Sequence, residues 1–249
     1  MINQKPTILQ NQTKAISSLK IAVLCLLSAL ICRGAFAVEV KFGFRPGATY
    51  EYELTSTSSS ESDALGIDYS HSPTSVTSKF QVKTIDFEKG AFIVDIKFND
   101  QTYRRYIKEN GEISGAPGEA GKQVPFFISF PAFDWQPEQR HQVTRQISLG
   151  RISVPAVWNL LLKSFDPDKQ IAEIWFAANL KLPEDRLRRK QFSQKGRIFF
   201  DLAAGVINQA EWNTEYSFNF INKEIAVVRE IWEIKERTSF KLKLLDIKE

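Results

Sequence analysis

Several residue types are scarce in this chain, and each scarcity excludes some chemistry. Of 249 residues, two are cysteine and two are histidine. Both cysteines, Cys25 and Cys32, fall within the first 37 residues. Beyond that segment there is no thiol, hence no disulfide, no zinc–cysteine site and no cysteine nucleophile. His71 and His141 are far apart in sequence, with no second histidine beside either, which leaves no His-rich zinc site. No acid precedes Glu39. No apolar run is long enough to span a bilayer comfortably; the longest is residues 21–32 (IAVLCLLSALIC). Glycines 115, 118 and 121 lack the Lys-Ser/Thr helix start of a phosphate loop, and no Gly-x-Ser-x-Gly elbow occurs.

What is present begins with an address. Lys5, Lys14 and Lys20 give a positive start, the run 21–32 an apolar middle, and Ala35-Phe36-Ala37 a small-x-small end. This pattern predicts a secretory signal over 1–37, cut after Ala37, with an uncleaved anchor as the alternative. Ile31 before Cys32 and Leu24 before Cys25 do not fit a lipidation site. Loss of the leader would take Lys5, Lys14, Lys20 and Arg33 and no acid, so 33 bases and 29 acids become equal in number. The positive charge belongs to the leader, and nucleic-acid binding driven by bulk charge loses its support. The expected location is periplasmic or extracellular, with no transmembrane segment after cleavage.

The period of the remainder is two. Tyr50, Tyr52 and Leu54 alternate with polar residues, as do Phe92, Val94, Ile96 and Phe98, and then Phe240, Leu242 and Leu244. Alternation of this kind predicts half-buried antiparallel strands. Turns are expected at Glu88-Lys89-Gly90, Asn110-Gly111, Asp166-Pro167-Asp168-Lys169 and Ala203-Ala204-Gly205. Residues 183–191 are a helix candidate, from Pro183 with Glu184 and Asp185 behind it. Residues 156–163 fit strand or helix, with Val157 and Trp158 favouring strand. The Ser/Thr-rich stretches 55–62 and 70–78, and the Gly/Ala-rich stretch 114–122, read as loops. The fold class expected is mostly β: a curved antiparallel sheet or open barrel with little helix, in a single domain over 38–249. A faint repeat, seen in Asp86-Phe-Glu-Lys89 against Asp166-Pro-Asp-Lys169, suggests half-repeats 38–125 and 126–220 and a C-terminal hairpin over 221–249.

Phe44-x-Pro46-Gly47-x-x-Tyr50-x-Tyr52, with Phe199-Phe200-Asp201-x-x-x-Gly205-Val206 further on, resembles a family of exported bacterial β-rich proteins of unknown function. Those proteins open on a Pro-Gly-x-x-Tyr strand and carry a Gly-x-x-Trp-type opening midway, where this chain has Glu138 in place of the glycine. By strand-rich layout alone it is more distantly similar to periplasmic half-barrels that carry lipidated or lipophilic cargo. The resemblance implies a fold and a compartment and supplies no catalytic residues.

Two stretches stand out as candidate sites. Residues 124–135 (VPFFISFPAFDW) hold Phe126, Phe127, Phe130, Phe133 and Trp135, interrupted by Pro125 and Pro131. The prolines put this segment at an edge or in a kinked crossing. Its rings are either a plug closing one end of the sheet or one wall of an apolar, ligand-binding groove. Arg186, Arg188, Arg189 and Lys190, with Lys195 and Arg197 beyond, are either a solvated connector or a patch for anionic surfaces, which Tyr103-Arg104-Arg105-Tyr106 could extend. Asp134 beside Trp135 is the most suggestive acid for hydrolysis, and Asp166-Pro-Asp168 an oxygen-rich spot for calcium; both are commoner as plain turns. No cofactor or metal is expected. Function is expected to be a non-enzymatic binding or carrier module with an apolar groove, whose partner is a lipophilic ligand or an envelope component. The alternatives are a structural, envelope-interaction protein and a hydrolase.

Overall fold

A computed structural model describes residues 37–64, 67–115, 128–149, 152–181, 190–222 and 230–249. Its strands are β1 (Thr49–Ala64), β2 (Ile67–Glu88), β3 (Ala91–Phe98), β4 (Gln101–Lys108), β5 (Ile113–Gly115), β6 (Arg140–Leu149), β7 (Ile152–Asp166), β8 (Ile171–Lys181), β9 (Lys190–Asp201), β10 (Val206–Asn222) and β11 (Glu230–Lys248). They form one antiparallel sheet in the order β5-β4-β3-β2-β1-β11-β10-β9-β8-β7-β6. The sheet is not closed, for β5 and β6 are its edges. There is no helix among the described residues. The all-β, antiparallel reading of the alternation is therefore what the chain adopts. Of the helix candidate, 182–189 lie outside the described residues, and Lys190 and Gln191 open β9. The ambiguous stretch 156–163 is strand, within β7.

Each strand has one buried phase. Tyr50, Tyr52 and Leu54 of β1, Phe92, Val94 and Ile96 of β3, and Ala172, Ile174, Phe176 and Ala178 of β8 are all buried. Residues 37–48 extend this core without joining the sheet. Val38, Val40, Phe42 and Phe44 are buried, with exposed residues between them. The Phe42 N–H donates to the Glu109 carbonyl at 2.6 Å, and the Gly43 N–H to the Gly205 carbonyl at 2.9 Å, so this segment ties the β4–β5 turn to the β9–β10 turn. Phe42 stacks on Phe44 (5.4 Å) and Phe130 (5.7 Å) and meets Phe200 edge-on (5.3 Å). Such pairs add about 0.5–1.5 kcal/mol each beyond the area they bury.

The turns use the residues that the backbone requires. Pro46 and Gly47 occupy the corners of a turn closed by the Ala48 N–H on the Arg45 carbonyl (3.0 Å), and Gly47 has φ +86°. Positive φ at the second corner is the type II arrangement that favours glycine. Lys89 and Gly90 both have positive φ, as a two-residue hairpin demands. At Asn110-Gly111 the loop is longer than the expected two residues. The Gly111 N–H closes on the Lys108 carbonyl at 2.8 Å, and Gly111 then takes positive φ. Gly205 (φ +65°) ends the β9–β10 loop, and a Cβ there would strike the backbone of Gly43. Asp86–Gly90 and Asp166–Gln170, the segments aligned in sequence, both end on a residue of positive φ.

One loop expectation is overturned in part, since Ser114 and Gly115 of the stretch 114–122 belong to β5 while 116–122 lie outside the described residues, and another is overturned outright. Residues 55–62 and 70–78 are not loops; they are the distal parts of β1 and β2, paired Thr55↔Thr77 through Ser62↔Tyr69. Their hydroxyls satisfy one another: Thr55 with Thr77 at 3.0 Å, Thr57 with Ser75 at 3.2 Å, and Ser58 with Thr238 of β11 at 3.1 Å. Among the described residues no apolar core lies against this part of the sheet, so neither phase needs to be apolar, and the alternation that marks strands elsewhere is missing.

Candidate functional site

The outward phase of β7–β11 forms a surface trough of about 780 Å3. Two register rows build it. One runs Arg140, Leu161, Trp175, Arg197, Glu211, Lys241 across β6 to β11; the other runs Asn159, Ala177, Lys195, Asn213, Ser239 across β7 to β11. Between them lie Leu160, Phe176, Gly196, Trp212 and Phe240, of the opposite phase. The next inward rows, Trp158–Ala178–Gln194 and Leu162–Ile174–Ile198, do not line the trough, which assigns it to the outer face.

Gly196 sets the local shape. A Cβ there would fall on the Glu211 carbonyl oxygen and on the Cα and Cβ of Trp212. Strand β10 therefore approaches β9 more closely at this point than any side chain would allow.

Trp175 is the large apolar group of the trough, 46% exposed. Its indole N–H donates to Glu173 Oε1 at 2.8 Å, and Lys163 Nζ stands 5.7 Å from the ring centroid. The ring is thus held from two sides while its surface stays wet. Arg197 pairs with Glu211 at 2.9 Å. Hydrogen bonding from that guanidinium holds the Glu211 carboxyl below the usual carboxylate range. The other cations, Arg140, Lys195 and Lys241, outnumber the acids on these rows. On the second wall, Asn159 accepts from Gln142 Nε2 and Asn213 from Ser239 Oγ, both at 2.7 Å, so each amide turns its NH2 away from that contact.

The residues singled out in sequence lie elsewhere or are only partly described. Phe126 and Phe127 lie outside the described residues. Phe130 and Trp135 are core residues, 2% and 0% exposed; the Trp135 indole donates to the Gln139 carbonyl at 2.9 Å, and its backbone bridges to Val38. Phe133 is 44% exposed and meets His141 of edge strand β6 edge-on at 5.0 Å. The structure brings Phe130 and Trp135 into one core cluster and leaves Phe133 at the surface. Arg186, Arg188 and Arg189 lie outside the described residues, and Lys190 begins β9. Their sequence neighbours Lys195 and Arg197 line the trough. Arg104 is held by Asp95 through two bonds (2.8 and 2.9 Å), and Arg105 is buried. Asp134 is exposed, while the Trp135 ring turns into the core. Asp166 Oδ1 accepts the N–H groups of Asp168 and Lys169, both at 3.1 Å, which is a turn, and no group of three metal-ligating side chains occurs among the described residues.

Sequence reasoning missed Trp175. The signal was available: Ile171, Ala172, Ile174, Trp175, Phe176, Ala177 and Ala178 make both phases of β8 apolar, which a strand with one wet face does not need.

No family model matches the sequence, and no curated protein does. Among solved structures, one of lipovitellin, concerned with its lipid–protein interactions, aligns over 83% of this chain with TM-score 0.37 and 11% identity. This chain spans about a quarter (26%) of the length of that one. The outer membrane protein OprG of Pseudomonas aeruginosa aligns over 81% of this chain and 97% of its own (TM-score 0.25, 10% identity). An outer membrane channel of Pseudomonas putida F1 aligns over 82% and 97% (TM-score 0.20, 11% identity). At such scores and identities neither fold nor function passes from them to this chain.

Proposed function

We propose that this protein is an exported, non-enzymatic binding or carrier module of the cell envelope, and that its ligand lies in the outer trough with an apolar face against Trp175. The observation that carries this reading is the exposed, doubly held Trp175 ring in a concavity large enough for a small molecule or part of a larger one. A half-exposed indole whose N–H is already satisfied loses water favourably when its face is covered, at about 25 cal/mol per Å2 of apolar surface. The stems of Lys195, Arg197 and Lys241 add apolar surface beneath charged tips. A lipophilic cargo inside the curve of the sheet is less well supported, because Trp158, Phe176 and Trp212 are already buried there. Placing a chain among them means breaking contacts such as Trp212 on Phe240 (4.9 Å).

Titration of the folded protein with an apolar fluorescent dye tests the site. Saturable binding is expected, lost in Trp175→Ala while the melting temperature holds. Binding that never saturates, or that survives the substitution, overturns the proposal. Export is tested separately, by the mass of the protein recovered from expressing cells, which is expected to begin at Val38.

The second reading is a structural protein that docks through a sheet edge. The observation behind it is β6, a ten-residue strand with no partner on its outer side among the described residues. A hydrolase gains nothing from Asp134, which the Trp135 ring does not desolvate.

A further inference from the structure

We infer that the ligand of the trough is a linear acidic glycan, bound with sugar rings on Trp175 and carboxylates on the flanking cations. This rests on the trough being the binding site and adds the class of ligand it takes. Three features of the site select that class.

The first is extent. The row from Arg140 to Lys241 crosses six strands, and five spacings of about 4.8 Å make it about 24 Å long. A row of that length suits an extended polymer better than a compact head group. The second is charge. Arg140 and Lys241 stand at the two ends of one row, Arg197 within it and Lys195 on the opposite wall. Glu211 on the same row is paired with Arg197 at 2.9 Å, and Glu173, which keeps its charge while accepting from the Trp175 indole and the Ser164 hydroxyl, lies off both rows. Arg140 and Lys195 have no carboxylate within ion-pairing distance among the described residues, so their charge faces solvent. The third is polarity of the second wall. Asn159 and Asn213 line the trough with each Oδ1 already accepting from a neighbour, which leaves the NH2 of each as a donor suited to hydroxyls. An acyl chain laid there would strip water from these amides and from Lys195 without replacing the lost hydrogen bonds. A sugar ring has an apolar C–H face for the indole and hydroxyls for the amides, so it leaves neither group unsatisfied.

The test uses polygalacturonate oligomers, their fully methyl-esterified form and phosphatidylglycerol vesicles, with binding read by Trp fluorescence and calorimetry. The free acid is expected to bind, to weaken as salt is raised and to lose at least tenfold in the double variant Lys195→Gln/Lys241→Gln; the ester is expected to bind at least tenfold more weakly than the acid. Both substitutions are at exposed positions, and retained melting temperature checks the fold. Vesicle binding without polygalacturonate binding overturns the inference in favour of a membrane surface. Equal binding of acid and ester, an unaffected double variant, or no binding to the acid overturns it as well. If the dye still binds saturably through Trp175 in those cases, the binding-module reading stands and only the ligand class fails.

Discussion

Gly196 is where a single atom decides the packing. Its Cα faces Trp212 with no room for a methyl group, and the atoms in the way include a backbone oxygen and a Cα, which cannot rotate aside. Gly196→Ala is expected to cost about 1–3 kcal/mol, read as a lower denaturant midpoint with an unchanged slope. Trp175 lies one strand away and is exposed, so its loss should leave stability within about 0.5 kcal/mol. Tyr52 offers a second residue-scale test. It is buried against Phe80 (5.2 Å, stacked), and burial pushes its phenol far above the usual range. A folded-state value above the unfolded one means stability that is intact below about pH 10 and falls as pH rises beyond it. Denaturant midpoints taken between pH 9 and pH 11 should drop in the native sequence and drop less steeply in Tyr52→Phe.

Elements were legible where the core enforces a period. The buried phases of β1 and β3 follow every second residue because one face packs and the other is wet. The distal halves of β1 and β2 were illegible for the opposite reason: with no core against them, nothing forces alternation, and Ser and Thr look the same in a hydroxyl ladder as in a loop. Thr55 against Thr77 is stabilised by about 0.2–1 kcal/mol, which a composition count does not reveal. The trough was hidden because its rows join residues of six strands at matching register, and register between distant segments is set by the whole sheet. Two of its four cations, Lys195 and Arg197, were visible as part of a basic run, but not their place beside Trp175. The ladder carries its own prediction. Few apolar contacts guard it, so the amides of Ser56, Thr57 and Ser60 should exchange with solvent well before those of Tyr50, Tyr52 and Val82, as read by hydrogen-exchange mass spectrometry.

Across the whole molecule, most pairings are between neighbours in sequence, and one is not. β1 and β11 pair over fifteen register positions, from Thr49↔Lys248 to Asp63↔Glu233. Lys248 bonds Glu51 at 2.7 Å, and Arg45 pairs with Glu249, which fastens the same seam at its end. This pairing closes a loop of nearly the entire described chain, and closure of that kind must be paid in entropy before its contacts form. Refolding is therefore expected on the millisecond-to-second scale or slower, measured by stopped-flow fluorescence. Deleting β11 should remove cooperative unfolding altogether, since β1 and β10 would each lose their partner on that side.

That seam makes assembly an event with a definite moment. Until β11 is delivered, a growing chain consists of two strips, β1–β5 and β6–β10, each with a raw flank and with no strand to pair them, only the segment 37–48 reaching from one to the other. The sheet is in two pieces until that strand has been made, and it becomes one object when β11 slides between the two strips like the bolt of a latch.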